Sequence, residues 1–442
     1  MDRGPMITGS GTQAPPRRKI FYGWYIVGAG SVSTFFNSMI ITQGLSAFIP
    51  ALRDNMGWSV AAISFGFSLR AFEQGLLGPV AGYMIDRFGP RLMCTLGVSV
   101  MTLGLVLFSQ SYSLWSFYLS AMVIALGQGL GANQSYSAAM VHWFRKKRGR
   151  ANAFLQTGIG LGYVGVYPIT LVMALVGWQS TALFLAIMFG IICIPLAQLI
   201  RHRPQPYGFL PDGDLAPATE EPPSDAHDRR GKKDGSFTVK EALKSRPFWM
   251  VLIARALYGL TQGVFHIHQI PHLMNRGYSA PGAGAFVAVY GLVQIFNRLV
   301  AGFLGDRVGR VRLFRFSFLF LGVGWWFFAV VSPGSLVVSS LLFFVTFGVG
   351  HAMHAAAGNA VLADFFGPER YATITGLMQP MTLLISVIGP LYGGFMYDFF
   401  GSYQYAFMIF GPIIALGTVA MLFAGNPTLS GQEVGARGSG GH

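Results

Sequence analysis

The chain reads as an all-α integral membrane protein, with twelve transmembrane helices in two pseudo-symmetric six-helix bundles. Three observations predict this. Mean hydropathy is +0.50, and only 11% of the 442 residues are charged, whereas soluble domains carry about a quarter. Apolar segments long enough to span a bilayer fall as six, a gap, and six. A loop motif recurs in the second half at the place it occupies in the first.

The elements follow in order. Residues 1–21 are polar, rich in Pro and Gly, and carry Arg17-Arg18-Lys19, so they are expected to form a tail. The apolar run after them is too long for a signal-peptide core and is expected as the first membrane helix rather than a cleaved leader. Segments at roughly 22–50, 59–84, 91–110, 114–141, 151–175 and 179–200 make the first bundle, residues 22–200. The stretch 201–246 contains PATEEPPSDAHDRRGKKDG. It has too little apolar surface to fold alone and is expected to be a linker, with a short amphipathic helix near Phe237–Lys244 lying along the membrane. Segments at roughly 247–270, 282–304, 312–331, 335–361, 371–397 and 403–424 make the second bundle, residues 247–424, and 425–442 form a second tail.

Charge placement sets the topology. Of the 31 Lys and Arg residues, only Arg53 and Arg276 fall on one side, and only Arg70, Arg255 and Arg298 fall inside helices. All the others lie on the side of the termini and linker. Basic loops stay inside, so both termini are expected in the cytoplasm and the protein in the plasma (inner) membrane. Basic residues at helix ends also explain the net charge of +14 without nucleic acid. The two cysteines, Cys94 and Cys193, sit inside apolar segments and imply no disulfide framework.

The second segment ends GPVAGYMIDRFGPR (78–91) and the eighth ends RLVAGFLGDRVGR (298–310), so Asp86-Arg87 aligns with Asp306-Arg307. HWFRKKRGR (142–150) answers DFFGPERYA (364–372) at nearly the same offset. Two matches at one offset mark internal duplication. In the first copy, two glycines on one face permit close helix packing, and the charges follow at the membrane surface. There they can pair with helix ends and release them, or simply set topology.

Gly78-x-x-x-Gly82-x-x-x-Asp86-Arg87-x-Gly89-x-Arg91 resembles the signature loop of the major facilitator superfamily, and the resemblance covers nearly the whole chain. It implies the major facilitator fold, with Asp86, Arg87, Asp306 and Arg307 as a cytoplasmic gate. Tyr22-Gly23-Trp24, the run Trp143 to Arg148 with Ala151-Asn152, and Arg298 resemble the monocarboxylate transporter and oxalate–formate antiporter branch. That closer resemblance implies a secondary transporter of a small mono- or dicarboxylate, working by proton symport or anion exchange, with protons or a counter-anion as partners. The chain departs from the branch at three places. Gln294 stands where proton-coupled members carry Asp, Thr42 or Gln43 where they carry a lysine in helix one, and Gln379 where the antiporter carries one in helix eleven.

Several residues are site candidates on their own chemistry. Arg298 keeps its charge inside a span, which is costly without a partner or water. It shares a helix face with Tyr290, Gln294 and Asn297, so it either binds a carboxylate or snorkels to the surface. Arg70 and Glu73 lie one turn apart near mid-helix and are expected to pair, as a structural ion pair or a working site. An anion that engages Arg70 would leave Glu73 to take a proton, which makes Glu73 the coupling candidate. Helix seven carries a stripe of Arg255, Tyr258, Gln262, His266 and Gln269. Asn37, His266, His351 and Gln379 are candidates for hydrogen bonds to substrate.

Other chemistries find no support. His351 and His354 invite a metal, but no Asp, Glu or Cys lies near them at ligand spacing. The runs Gly127-x-Gly129-x-Gly131 and Gly158-x-Gly160-x-Gly162 lack a preceding strand and a Walker lysine; they read as packing surfaces. No catalytic constellation or cofactor motif appears, so an enzyme is not expected. Two alternatives to carboxylate transport stay open: export of hydrophobic or drug-like compounds, and a non-transporting nutrient sensor.

Overall fold

Each apolar segment becomes a helix: α1 (Tyr22–Met56), α2 (Val60–Phe88), α3 (Pro90–Ser109), α4 (Leu114–Trp143), α5 (Gly149–Val176) and α6 (Trp178–Gln198) in the first half. The second half has α7 (Arg246–Asn275), α8 (Ala280–Val308), α9 (Arg310–Val330), α10 (Val338–Phe366), α11 (Tyr371–Phe400) and α12 (Gln404–Phe423). The computed structural model describes residues 21–130, 134–144, 147–207, 210, 212, 239–335, 338–366 and 371–425. The side chains outside the description include those of Gln74, Arg298 and Asp306. The tails and most of the central linker therefore lie outside the described residues. Among the described residues, eleven of the helices are apolar enough over eighteen residues to cross a bilayer.

The duplication is visible in the turns. Gly89 (φ 85°) and Gly309 (φ 91°) end α2 and α8 and start α3 and α9. A side chain at such a φ is strained, so glycine is required there. Gly57 and Gly277 hold positive φ at the preceding matched turns, as do Gly177 and Gly401 further on.

Small residues set the helix spacing. A Cβ on Gly158 would meet the Ser31 carbonyl, and one on Gly160 would lie 2.9 Å from Ile295. Gly162 and Gly165 face Ser38 and Met39 in the same way. Those two residues belong to a π-helical turn, Ser38–Gly44, in the middle of α1. The hydroxyls of Ser31 and Ser38 donate to the Phe154 and Ile159 carbonyls at 2.7 and 2.9 Å, locking α1 to α5. Gly127, Gly129, Gly158, Gly160 and Gly162 are packing surfaces; Gly131 lies outside the described residues.

The halves meet along α2–α11, α5–α8 and α1–α7. Polar contacts join the halves at the end away from the termini. There Asp398, near the end of α11, accepts from the Val60 and Ala61 amides at 2.9 and 2.8 Å, capping α2 from the other half. Arg53 donates to the Tyr397 hydroxyl, and a Cβ on Gly394 would lie 2.8 Å from the Ala61 Cα. A cavity of about 310 Å³ remains between Ile49, Arg53, Met274, Asn275, Tyr397 and Tyr403. At the terminus-bearing end, no hydrogen bond or ion pair joins the halves among the described residues. The short helix Val239–Lys244 does not simply lie along the membrane: Ala242 is buried, and the helix packs on α7 and α11. An alanine small enough to sit flat on both helices allows this seating.

Candidate substrate site

Polar side chains inside this apolar scaffold gather in three places. In the first half, the Arg70 guanidinium donates to Gln128 Oε1 of α4 at 2.6 Å. Gln128 Nε2 in turn reaches Asn37 Oδ1 of α1 at 3.4 Å, and the Asn37 amide approaches Met101 Sδ of α3 at 3.9 Å. The expected Arg70–Glu73 pair does not form: among the described residues the only ion pair within 4.0 Å is Arg53–Asp54. The reason is side-chain direction. Helical side chains lean toward the N-terminus, so an arginine that precedes the acid leans away from it, the poorer order for such pairs. Arg70 Nε and Glu73 Oε2 are both buried without a hydrogen-bond partner.

The second cluster lies in the other half. Tyr258 of α7 and Tyr290 of α8 clamp His351 of α10, with the Tyr258 hydroxyl 3.1 Å from Nε2 and the Tyr290 hydroxyl 3.3 Å from Nδ1. Gln294 Nε2 donates to the Tyr290 hydroxyl. His354 stacks flat on Tyr258, with ring centroids 3.5 Å apart, instead of turning a nitrogen to a metal shared with His351. Among the described residues, no cluster of three His, Cys, Asp or Glu forms. Asn297 packs against Gly348, 2.6 Å from the place of its missing Cβ. Gln294 Oε1, Asn297 Nδ2, His354 Nδ1 and both polar atoms of Gln262 are buried with no partner. Buried polar groups are almost always hydrogen-bonded, so this concentration marks a place built for water or a ligand.

The third group joins the halves. His266 Nδ1 lies 3.2 Å from Gln43 Oε1, and Gln269 Nε2 donates to the same oxygen at 2.9 Å. Gln43 comes from the π-helical turn of α1. Tyr163 of α5 sits between His266 and Tyr290, with centroids 6.3 and 5.4 Å away. The helix-seven stripe thus faces the interior: Tyr258 toward α10, His266 and Gln269 toward α1. His268, off the stripe, is held by the Pro390 carbonyl at 2.9 Å and approaches Ser64 of α2.

The remaining candidates are placed less centrally. Gln379 is exposed on α11. Arg298 follows Asn297 on α8, but its side chain lies outside those described, as does that of Asp306. Asp86, Arg87 and Arg307 are exposed at the terminus-bearing end, where Arg87 donates to its own helix neighbour Tyr83 at 3.1 Å. Burial and Arg203 hold the pKa of nearby His202 below its ordinary value, against the opposing pull of Asp86. Sequence reading missed Gln128, Tyr163 and the bridging role of Gln43. Gln128 was hidden inside a glycine run; its spacing to Asn37 exists only in space.

The two motifs shared with the carboxylate branch also meet. Phe21, Tyr22 and Trp24 at the start of α1 pack on Trp143 and Phe144 with centroids 5.0 to 5.7 Å apart. Trp143 Nε1 then donates to the Arg201 carbonyl at 2.8 Å. Gly23 is needed because a Cβ there would lie 2.9 Å from the Phe144 ring.

The chain matches the sequence pattern of the Major Facilitator Superfamily over residues 29–268 and 257–440. It is 27% identical over 438 residues to Monocarboxylate transporter 4 of Gallus gallus, covering 96% of this chain and 85% of that protein. It is 25% identical over 365 residues to the Oxalate:formate antiporter of Oxalobacter formigenes, covering 81% of each. A bacterial homolog of the human lysosomal transporter Spinster, solved inward-facing and occupied, superposes with a TM-score of 0.72 at 15% identity, over 93% of this chain and 98% of that one. The nucleoside transporter NupG gives 0.67 at 10% identity, over 91% and 98%. These structures share the fold alone. The chain belongs to the Major Facilitator Superfamily and is a multi-pass membrane transporter rather than an enzyme.

Proposed function

We propose that the protein carries a small mono- or dicarboxylate by alternating access, through proton symport or anion exchange. One observation carries this reading: Arg70 stands inside a span with a neutral amide as its hydrogen-bond partner and its Nε buried without one. A cation so placed is costly, and an anionic substrate offsets that cost. A guanidinium fork fits a carboxylate. The relatives named for monocarboxylates and for oxalate and formate support the same substrate class. Arg298 is the second proposed anion contact. Asn37, His266, His351 and the exposed Gln379 would supply hydrogen bonds, and Glu73 would couple a proton. With both termini in the cytoplasm, the end held by Asp398 and Arg53 is external. Asp86, Arg87, Asp306 and Arg307 would then form the inner gate.

The test is uptake of labelled lactate, oxalate, succinate and a lipophilic amine into proteoliposomes, with and without a pH gradient. Saturable carboxylate uptake is expected. Arg298→Lys should insert normally yet lose uptake by about 100-fold, because lysine is a point charge without the fork. Transport of the amine alone would overturn the carboxylate reading in favour of export of hydrophobic compounds.

A further inference from the structure

Within the reading as a carboxylate carrier, we propose that His351 is a proton-binding site, with Tyr290 and Gln294 as the switch that records its protonation state. Both ring nitrogens are held by tyrosine hydroxyls from two different helices, at 3.1 and 3.3 Å. His351 itself is only 8% exposed.

The donors and acceptors give the chain a direction. Gln294 Nε2 donates to the Tyr290 oxygen, so the hydrogen of Tyr290 is available to His351 Nδ1. Neutral His351 then carries its own hydrogen on Nε2 and donates to Tyr258. In this arrangement Gln294 Oε1 is buried with nothing to accept from. A glutamine amide presents a donor and an acceptor at nearly the same place, so the unused oxygen is the other half of a switch. When a proton binds Nδ1, the imidazolium donates to Tyr290. The Tyr290 hydrogen turns away, the Gln294 amide flips, and Oε1 accepts it. No heavy atom leaves the site, and the charge gained is one proton. One amide atom lacks a partner in either state, Oε1 in the neutral one and Nε2 in the protonated one; the protonated state gains because a hydroxyl that accepts from an imidazolium is the stronger donor to Oε1.

The groups facing this chain are Tyr258 and, one turn before it, Arg255 on α7; Tyr290 on α8; His354 on α10; and Tyr163 of α5 against Tyr290. Arg255 disfavours a second positive charge until an anion arrives. Carboxylate binding and proton binding therefore strengthen each other, and by linkage the effect is reciprocal. This site lies in the half opposite Glu73.

The first experiment is nitrogen NMR of full-length protein labelled with [15N]histidine in lipid, as a difference spectrum against His351→Gln. Expected are a neutral Nε2–H tautomer at pH 8 and an imidazolium on acidification, with the midpoint raised by 10 mM oxalate or lactate. Gln294→Leu, which removes the acceptor, should lower that midpoint by about one pH unit, a roughly tenfold loss in proton affinity. In proteoliposomes, the ratio of lactate or oxalate uptake with and without a pH gradient should fall to about one in His351→Gln, whatever its basal rate. A neutral Nδ1–H tautomer, a midpoint unmoved by Gln294→Leu, or a wild-type ratio in His351→Gln would each overturn the proposal. If the wild-type protein takes up neither anion, the carboxylate reading fails, and the tautomer and the Gln294→Leu midpoint still decide the switch.

Discussion

At the scale of single residues, Arg70 and Glu73 illustrate how order along a helix decides a contact that spacing leaves open. Their separation of one turn makes a pair look inevitable, but the guanidinium leans toward Gln128 and away from the acid. Breaking a buried ion pair costs about 3–5 kcal/mol. No such pair exists to break, so Glu73→Gln should leave Tm unchanged or raise it, because it removes the charge from a carboxylate with a buried, partnerless oxygen and keeps its shape. Thermal unfolding in detergent checks this; a fall of several degrees would restore the ion pair. The same variant should lose gradient-driven accumulation of carboxylate if Glu73 couples a proton. Faces were legible at this scale. The stripe from Arg255 to Gln269 and the polar face of α8 follow from helical period alone. Partners were not, because the choice between Gln128 and Glu73 depends on rotamer direction and on which helix lies opposite.

At the scale of elements, the order of the helices was readable and their ends less so, since the first segment, expected to stop near 50, runs to Met56. The irregularity of α1 was not readable. Apolar runs bounded by Gly, Pro and charge locate twelve spans because lipid forces every backbone group to bond within its helix. The π-helical turn at Ser38–Gly44 leaves no trace in a uniformly apolar period. Its cause sits over a hundred residues away, in Gly158, Gly162 and Gly165 of α5, which give the widened turn room. A methyl on Gly158 would strike the Ser31 carbonyl and approach Phe35 N at 2.9 Å. Gly158→Ala should therefore destabilise the protein by about 1–3 kcal/mol. Gly28→Ala is the control on α1: nothing lies within 4 Å of its Cβ position, so it should be neutral or stabilise by up to about 1 kcal/mol. Similar Tm losses in both would show that the α1–α5 contact is looser than the packing implies.

At the scale of the whole molecule, the proposed alternating access makes the carboxylates at the two ends of α2 opponents. At one end the Asp398 carboxylate takes both the Val60 and Ala61 amides, so those two amides have this partner only while the halves touch, whereas Ser59 Oγ caps Ala62 from within the same half. At the other end Asp86 and Arg87 are exposed. Alternating access requires the Asp398 cap to break before that end opens. Helix caps contribute about 0.5–2 kcal/mol, and a carboxylate at a helix N-terminus about 0.3–1 kcal/mol. Asp398→Asn keeps one acceptor but loses the charge and the second acceptor. It should shift the population by up to about tenfold toward opening at Arg53 and Tyr397. Asp86→Asn, at the opposite end of α2, should shift it the other way. Both native cysteines are buried, so a single cysteine at Met274, lining the cavity beside Arg53, reports the change through its rate of labelling by an impermeant maleimide. Relative to the Met274→Cys background, labelling should rise in Asp398→Asn and fall in Asp86→Asn. If both variants move it in one direction, the two carboxylates do not oppose each other, and the cap on α2 is a seal on that end rather than part of the switch.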